Sequence, residues 1–332
     1  MATGFRLSVA IPVHNEESVL PELLQRLKST LDKLPGGPHE MVFVDDGSTD
    51  RTFEMLAAAA QQDPRVVALS LSRNFGHQVA ITAALDHVTG DATVVMDGDL
   101  QDVPEEIPRF VERYGQGFDV VYAKRVRRKE PWPLRLCYYV FYRMMASLSD
   151  IRLPLDSGDF GLMSRRVVEQ LRRMPEHHRY LRGLRSWVGF RQTSLEVERG
   201  ERHSGKSKYS LTRLLKLAFD GIFAFSIVPI RVASLFGAIV MFLSFLYALY
   251  ALYAKLFLRQ SPQGFTALIV AVTFLSGIVI FFLGVIGEYV GRIFEEIKAR
   301  PHYVIARRAG GGPGETRGNE AAEGSLEKEL LR

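Results

Sequence analysis

Short apolar runs alternate with helix-period stretches through the first part of the chain. Leu7–Ile11, Met41–Val44, Val66–Leu71, Thr93–Met96 and Asp119–Tyr122 are brief and rich in valine. That is the pattern of strands buried on both faces. Between them, Ser18–Leu34, Thr49–Gln62, His77–Val88 and Pro104–Tyr114 read as helices. Strands alternating with helices build βαβ units, so the predicted fold class is α/β with a mostly parallel sheet. There is no internal repeat.

Further on the pattern changes. Residues 232–254 and 264–287 are uncharged and overwhelmingly apolar, each longer than the roughly 20 residues that cross a bilayer. They predict two transmembrane helices joined by a turn holding Lys255, Arg259, Pro262 and Gly264. Ahead of them, Leu211, Leu214, Leu215, Ala218, Phe219, Ile222 and Phe223 form one helical stripe, with Arg213, Lys216 and Asp220 off it. That spacing suits an interfacial amphipathic helix lying in the headgroup layer. Leu134–Leu148, with Tyr138, Phe141, Met144 and Met145, is a second such candidate or a core-packing segment.

The expected division is a cytosolic α/β domain over 1–205, juxtamembrane interfacial helices over 206–230 and a two-helix hairpin over 231–290. A cytosolic return segment over 291–308 and a disordered, Gly- and Glu-rich tail over 309–332 follow. Met1 to Leu7 has no apolar leader region, so the chain is expected to start in the cytosol. Two spans bring it back to that side, where Arg292, Lys298, Arg300, Arg307 and Arg308 obey the positive-inside tendency. The net charge of +5 therefore points to a membrane surface rather than to nucleic acid. The single cysteine, Cys137, excludes an internal disulfide and fits a reducing compartment.

Candidate chemistry gathers where three strands end. Ile11-Pro12-Val13-His14-Asn15-Glu16-Glu17, Val44-Asp45-Asp46-Gly47-Ser48-Thr49-Asp50 and Met96-Asp97-Gly98-Asp99-Leu100-Gln101-Asp102 each lead from a strand into a turn. Any one of them is ordinary turn and cap chemistry. Three at the carboxyl edge of one sheet converge on a single crevice, where ligands of open α/β sheets bind. No phosphate loop and no Gly-x-Gly-x-x-Gly follows the first strand, which argues against a P-loop ATPase and a dinucleotide dehydrogenase. Two carboxylates one residue apart, Asp97 and Asp99, suit a hard divalent cation completed by substrate phosphates.

These motifs, together with Arg73-Asn74-Phe75-Gly76, closely resemble the family 2 glycosyltransferases of GT-A (Rossmann-like) fold. Gly158-Asp159-Phe160, Arg179-Tyr180-Leu181-Arg182-Gly183, Trp187-Val188-Gly189-Phe190 and the run from Arg199 to Tyr209 extend the likeness. Over residues 5–300 the chain looks like the polyisoprenyl-phosphate glycosyltransferases, the group of bactoprenol glucosyltransferase and dolichol-phosphate mannose synthase. One departure is His14, where relatives often carry a tyrosine against the base.

The resemblance implies a role for each matched residue. Pro12, His14, Glu16, Asp46 and Asp97 would bind the nucleotide, and Asp97, Asp99 and Gln101 would hold Mg²⁺ or Mn²⁺. Asp99 and Asp159 are the catalytic candidates; Asp159 is either a base or the orienter of a cationic partner. Arg202, Lys206, Ser207, Arg127 and Arg128 would bind the acceptor phosphate. The implied reaction is inverting transfer of a hexose, with UDP-glucose the favoured donor, to undecaprenyl or another polyisoprenyl phosphate at the plasma membrane. The resemblance implies a homo-oligomer, with a tetramer as one candidate form. Two other readings stay open: a processive polysaccharide synthase, which would carry Gln-x-x-Arg-Trp and more spans, and a non-catalytic nucleotide-sugar-binding scaffold.

Overall fold

The computed structural model describes residues 4–125, 157–177, 179–197, 228–257 and 264–311. Chain contacts divide it into two compact units. One holds 1–136, 151–208 and 301–332, and the other holds 137–150 and 209–300.

The first unit is built on one sheet of eight strands. These are β1 (Leu7–Val13), β2 (Glu40–Asp45), β3 (Val66–Leu71), β4 (Ala92–Val95), β5 (Val120–Arg125), β6 (Ser157–Ser164), β7 (Gln192–Val197) and β8 (Ile305–Ala309). Their order across the sheet is β7-β5-β6-β4-β1-β2-β3-β8. The four central strands β4, β1, β2 and β3 are parallel. β6 runs antiparallel between β4 and β5, and β8 closes the far edge antiparallel to β3. The α/β, mostly parallel expectation therefore holds for the sheet.

Helices α1 (Leu20–Leu31), α2 (Thr52–Gln62), α3 (His77–His87) and α4 (Ile107–Gly115) follow β1 to β4. On α1, Leu20, Leu23, Leu27 and Leu31 recur on one face, and all four are buried in the same cluster as Leu7, Val9 and Ile11 of β1. Each such side chain contributes on the order of 1.5–3 kcal/mol by leaving water. Two short helices, α5 (Arg165–Arg173) and α6 (Leu181–Trp187), follow β6.

Sequence periodicity left β6, β7 and β8 unassigned. β8 and the residues before it lie where a return segment and the start of a tail were expected. Ser72 N–H donates to Val304 O at 2.9 Å, Tyr303 donates to Asp86 at 3.1 Å, and Arg307 pairs with Glu54 at 2.9 Å. Gly310 lies where a Cβ would stand 2.2 Å from Val66 O, so the edge there accepts only glycine.

In the second unit the described elements are two long helices, α7 (Val228–Phe257) and α8 (Phe265–Ile297). Phe236 of α7 and Phe282 of α8 meet with ring centroids 5.9 Å apart. Among the described residues one stretch, Phe274–Ile297, is long and apolar enough to cross a membrane, and Leu235–Tyr247 is a shorter apolar stretch. Helices thus cover both predicted spans, while one of them meets the full requirement. The interfacial stripe 211–223, the segment 134–148 and Cys137 lie outside the described residues.

Candidate active site

The loops at the carboxyl ends of β1, β2 and β3 are tied together by their own polar groups, and the turn after β4 packs against the end of β1. After β1, Asn15 takes a left-handed backbone (φ 57). It accepts from Thr49 N–H at 2.9 Å and donates its own N–H to Ser48 Oγ at 2.9 Å. Asp45, fully buried at the end of β2, accepts from Ser48 N–H at 3.0 Å and from Ser70 Oγ at 2.8 Å. Gly47 has φ +64, and a Cβ there would sit 2.5 Å from the Arg73 carbonyl carbon. Only glycine allows that approach.

Asp46 is buried, and its carboxylate accepts from Phe75 N–H at 2.7 Å and Gly76 N–H at 2.9 Å. It thereby fixes the loop that opens α3. His14 is exposed, with Nδ1 2.9 Å from Asp46 O and Asn74 Nδ2 against its ring. Pro12 lies in β1 opposite Val44. Glu16 starts α1 by accepting Val19 and Leu20 N–H groups on its carbonyl at 3.0 Å.

Past β4 the chain turns sharply. Gly98 has no room for a side chain: a Cβ would meet Val13 Cγ1 at 2.6 Å and Pro12 O at 3.1 Å. Asp99 Oδ1 accepts from Gln101 N–H at 3.0 Å, and Asp102 accepts from Asp97 N–H at 3.0 Å. The turn therefore places Asp97 and Asp99, both half-buried, beside the Pro12–Val13 end of β1, while Gln101 is buried.

Among the described residues no group of three His, Cys, Asp or Glu side chains converges as a metal cage. The donors fit a different kind of site. Two carboxylates and one amide oxygen, all hard, leave the remaining positions to water and diphosphate, as magnesium-type ions accept.

The fourth corner comes from β6. Asp159 lies inside this strand, 8% exposed, rather than in a turn. Arg182 of α6 grips it on both oxygens, Nε to Oδ1 at 2.9 Å and Nη2 to Oδ2 at 3.0 Å. Gln78 donates to the same carboxylate at 3.3 Å and accepts from Leu181 N–H at 3.1 Å. His77 Nε2 stands 3.4 Å from Asp97 Oδ1 and 3.9 Å from Asp159 Oδ2, bridging the two carboxylates. Arg185, one turn further on, is 1% exposed and lies against the Tyr122 ring.

Burial works to raise the Asp159 pKa. The Arg182 charge and its hydrogen bonds, then His77 and Arg185, outweigh it and hold the carboxyl below its ordinary value. Burial pulls the Arg185 guanidinium down to about 10, against the pull of Asp159, so it stays charged at neutral pH.

The structure thus brings Pro12, His14, Asp46, Asp97, Asp99 and Gln101 to one sheet edge, and the His77 bridge links Asp159 to it. Arg127, Arg128, Arg202, Lys206 and Ser207 lie outside the described residues. His77, Gln78 and Arg185 were not singled out from the sequence. Their signal was adjacency: each follows within a few residues of a matched motif, with no chemistry of its own to mark it.

Residues 8–172 match the model of glycosyl transferase family 2, and residues 228–293 match that of the GtrB C-terminal hairpin. The chain is 45% identical over 311 residues to a Bacillus subtilis (strain 168) protein named uncharacterized glycosyltransferase YkcC, covering 93% of this chain and 96% of that one. It is 39% identical over 309 residues to the bactoprenol glucosyl transferase of Shigella phage SfII, covering 93% and 100%. Among solved structures, the mannosyltransferase PcManGT from Pyrobaculum calidifontis with GDP-Man and Mn²⁺ is similar at 20% identity and a TM-score of 0.46. That likeness covers 67% of this chain and 64% of that one. This chain belongs to glycosyl transferase family 2 and is a glycosyltransferase, and among its described residues one stretch is long and apolar enough to cross a membrane.

Proposed function

We propose that the protein transfers glucose from UDP-glucose to undecaprenyl or a similar polyprenyl phosphate, with inversion, at the cytosolic face of a membrane that α7 and α8 both cross. The observation that carries this reading is the placement of Asp97 and Asp99 on a turn that admits no side chain at position 98. Near-complete alignment with bactoprenol glucosyl transferases supports the sugar and the acceptor class.

Asp97, Asp99 and the Gln101 side chain would hold Mg²⁺ or Mn²⁺, whose bound form supplies Lewis-acid stabilisation of the departing diphosphate. The chain's own groups do the rest. The loop that Asp46 fixes would line the nucleoside site at the ends of β1 and β2. His14, exposed at its mouth, offers a ring face to the base. The acceptor is a phosphate monoester, whose second pKa near about 6 leaves it largely dianionic at neutral pH. It needs placement opposite the leaving group more than it needs a base. Asp159, kept ionised and forked by Arg182, is a weak proton acceptor and a strong orienter, which favours the second of its two readings.

Radiolabelled glucose from UDP-glucose should enter an organic-extractable, acid-labile lipid made by the full-length protein in detergent. Asp99→Ala should cut this product about 100-fold or more, the scale for removing a group that stabilises transition-state charge. Unchanged turnover in that variant defeats the cation site. Water-soluble polymer as product indicates a polysaccharide synthase, and tight UDP-glucose binding without turnover indicates a scaffold.

A further inference from the structure

Gln78, Asp159, Arg182 and the Leu181 peptide close a ring of hydrogen bonds between α3, β6 and the start of α6. Gln78 Nε2 donates to Asp159 and Gln78 Oε1 accepts from Leu181 N–H. Asp159 accepts both Nε and Nη2 of Arg182, the residue after Leu181. A forked arginine held this way has its plane set in advance, so less freedom is lost when it binds a second oxyanion.

Behind it lies Arg185, buried yet with no carboxylate within ion-pair distance among the described residues. Its Nε has no hydrogen-bond partner there, and its contact with Gly158 O is long at 3.4 Å. A buried guanidinium without a directly paired anion is costly unless another negative charge completes the site. The His77 ring joins this cluster to Asp97, so the completing charge would lie beside the reacting groups.

We infer that Arg182, aimed by Asp159 and Gln78 and supported by the buried Arg185 charge, is a receptor for a phosphate oxyanion of the reaction. The ligand chemistry is a phosphate monoester or diphosphate. The inference rests on the functional reading above and deepens it. Gln78 is a positioning residue, acting through the Asp159–Arg182 pair.

The test uses full-length protein in detergent with undecaprenyl phosphate, the uncharged alcohol undecaprenol, and UDP with Mn²⁺ as separate binding probes. Wild type should prefer the lipid phosphate over the alcohol. Arg182→Lys keeps the charge and loses the fork, and should weaken lipid-phosphate binding about tenfold. The double variant Asp159→Asn with Arg182→Gln avoids a stranded buried carboxylate and should remove the preference. Gln78→Glu keeps the Leu181 contact and repels Asp159. It should raise the acceptor KM several-fold without a matching fall in melting temperature.

If UDP affinity drops while the lipid preference stays, the oxyanion is the donor diphosphate. If neither moves beyond about twofold in a folded variant, the inference is overturned. Wild type that binds lipid phosphate through Arg182 but makes no glucolipid would instead sink the functional reading alone.

Discussion

Apolar side chains do opposite things in the sheet unit and in the helical hairpin. Leu7, Val9 and Ile11 of β1 are fully buried, whereas Met241 of α7 is 70% exposed and Ile280 of α8 is 69% exposed. One set is surrounded by protein, and the other has little cover among the described residues. Under the proposed function that exposed apolar surface would face lipid, where a long helix is tolerated because its interior backbone groups bond within the helix. Apolar residues thus yield a packed core in one place and an exposed apolar surface in the other, depending on period and run length.

The contrast is sharpest in a pair of truncations. Leu27→Ala in the sheet unit should cost about 2–5 kcal/mol of unfolding free energy, read by denaturant titration of detergent-solubilised protein. Ile280→Ala should cost far less in the same assay. Equal losses would mean that the helices bury an interior of their own, and the comparison would break.

A charge is the complementary probe. Ile280→Lys should reduce recovery in the membrane fraction, because a lysine at a span centre costs about 2.5–3.5 kcal/mol on insertion scales. An unaltered fraction would place Ile280 off the lipid face.

Smaller effects concern the segment that follows α8. Tyr303→Phe removes the hydrogen bond to Asp86 and should lower stability by about 1–3 kcal/mol, the range for a bond to a charged or partly buried group. Loss of protection at β8 in hydrogen exchange, with the rest of the sheet intact, would confirm that this bond secures the edge strand.

The smallest effect is the acid limb. Hydrogen bonds from Arg65 hold Asp63 down at about 2, below an unfolded value near about 3.9. A depressed folded pKa contributes stability above the unfolded value. The contribution fades as pH falls from about 4 towards 2. Asp63→Asn should flatten that limb in pH-dependent melting. The apolar cores of the hairpin, 232–254 and 264–287, carry no carboxylate and should not contribute to it.

Legibility in the sequence followed burial on both sides. β1 to β5 were readable because parallel strands packed on two faces are runs of valine, isoleucine and leucine. β6 was not, since Gly158 and Gly161 interrupt its apolar side chains and its identity as a strand comes from pairing with β4 and β5. At Gly161 a Cβ would stand 2.6 Å from Val121 O, a close approach invisible without the neighbour. β8 was hidden for another reason: Arg307 and Arg308 are charges on an edge strand, where such residues discourage further pairing.

The acidic turns of the site were legible because Asp, Gly and Ser at strand ends are local chemistry. Asp46 was expected to bind the nucleotide; only the structure shows that its carboxylate also organises the loop before α3.

Sequence alone determined the alternation that makes an α/β sheet, the acidic pair after β4, and the uncharged runs that become α7 and α8. Each is encoded within a dozen or two neighbouring residues. Tertiary structure alone decided that Asp159 belongs to a strand, that Arg182 and Gln78 hold it, and that His77 stands between it and Asp97. Those residues are separated by up to 105 positions along the chain (77 to 182). Hydrogen bonds across such a distance depend on strand order and register, which no local pattern of side chains specifies.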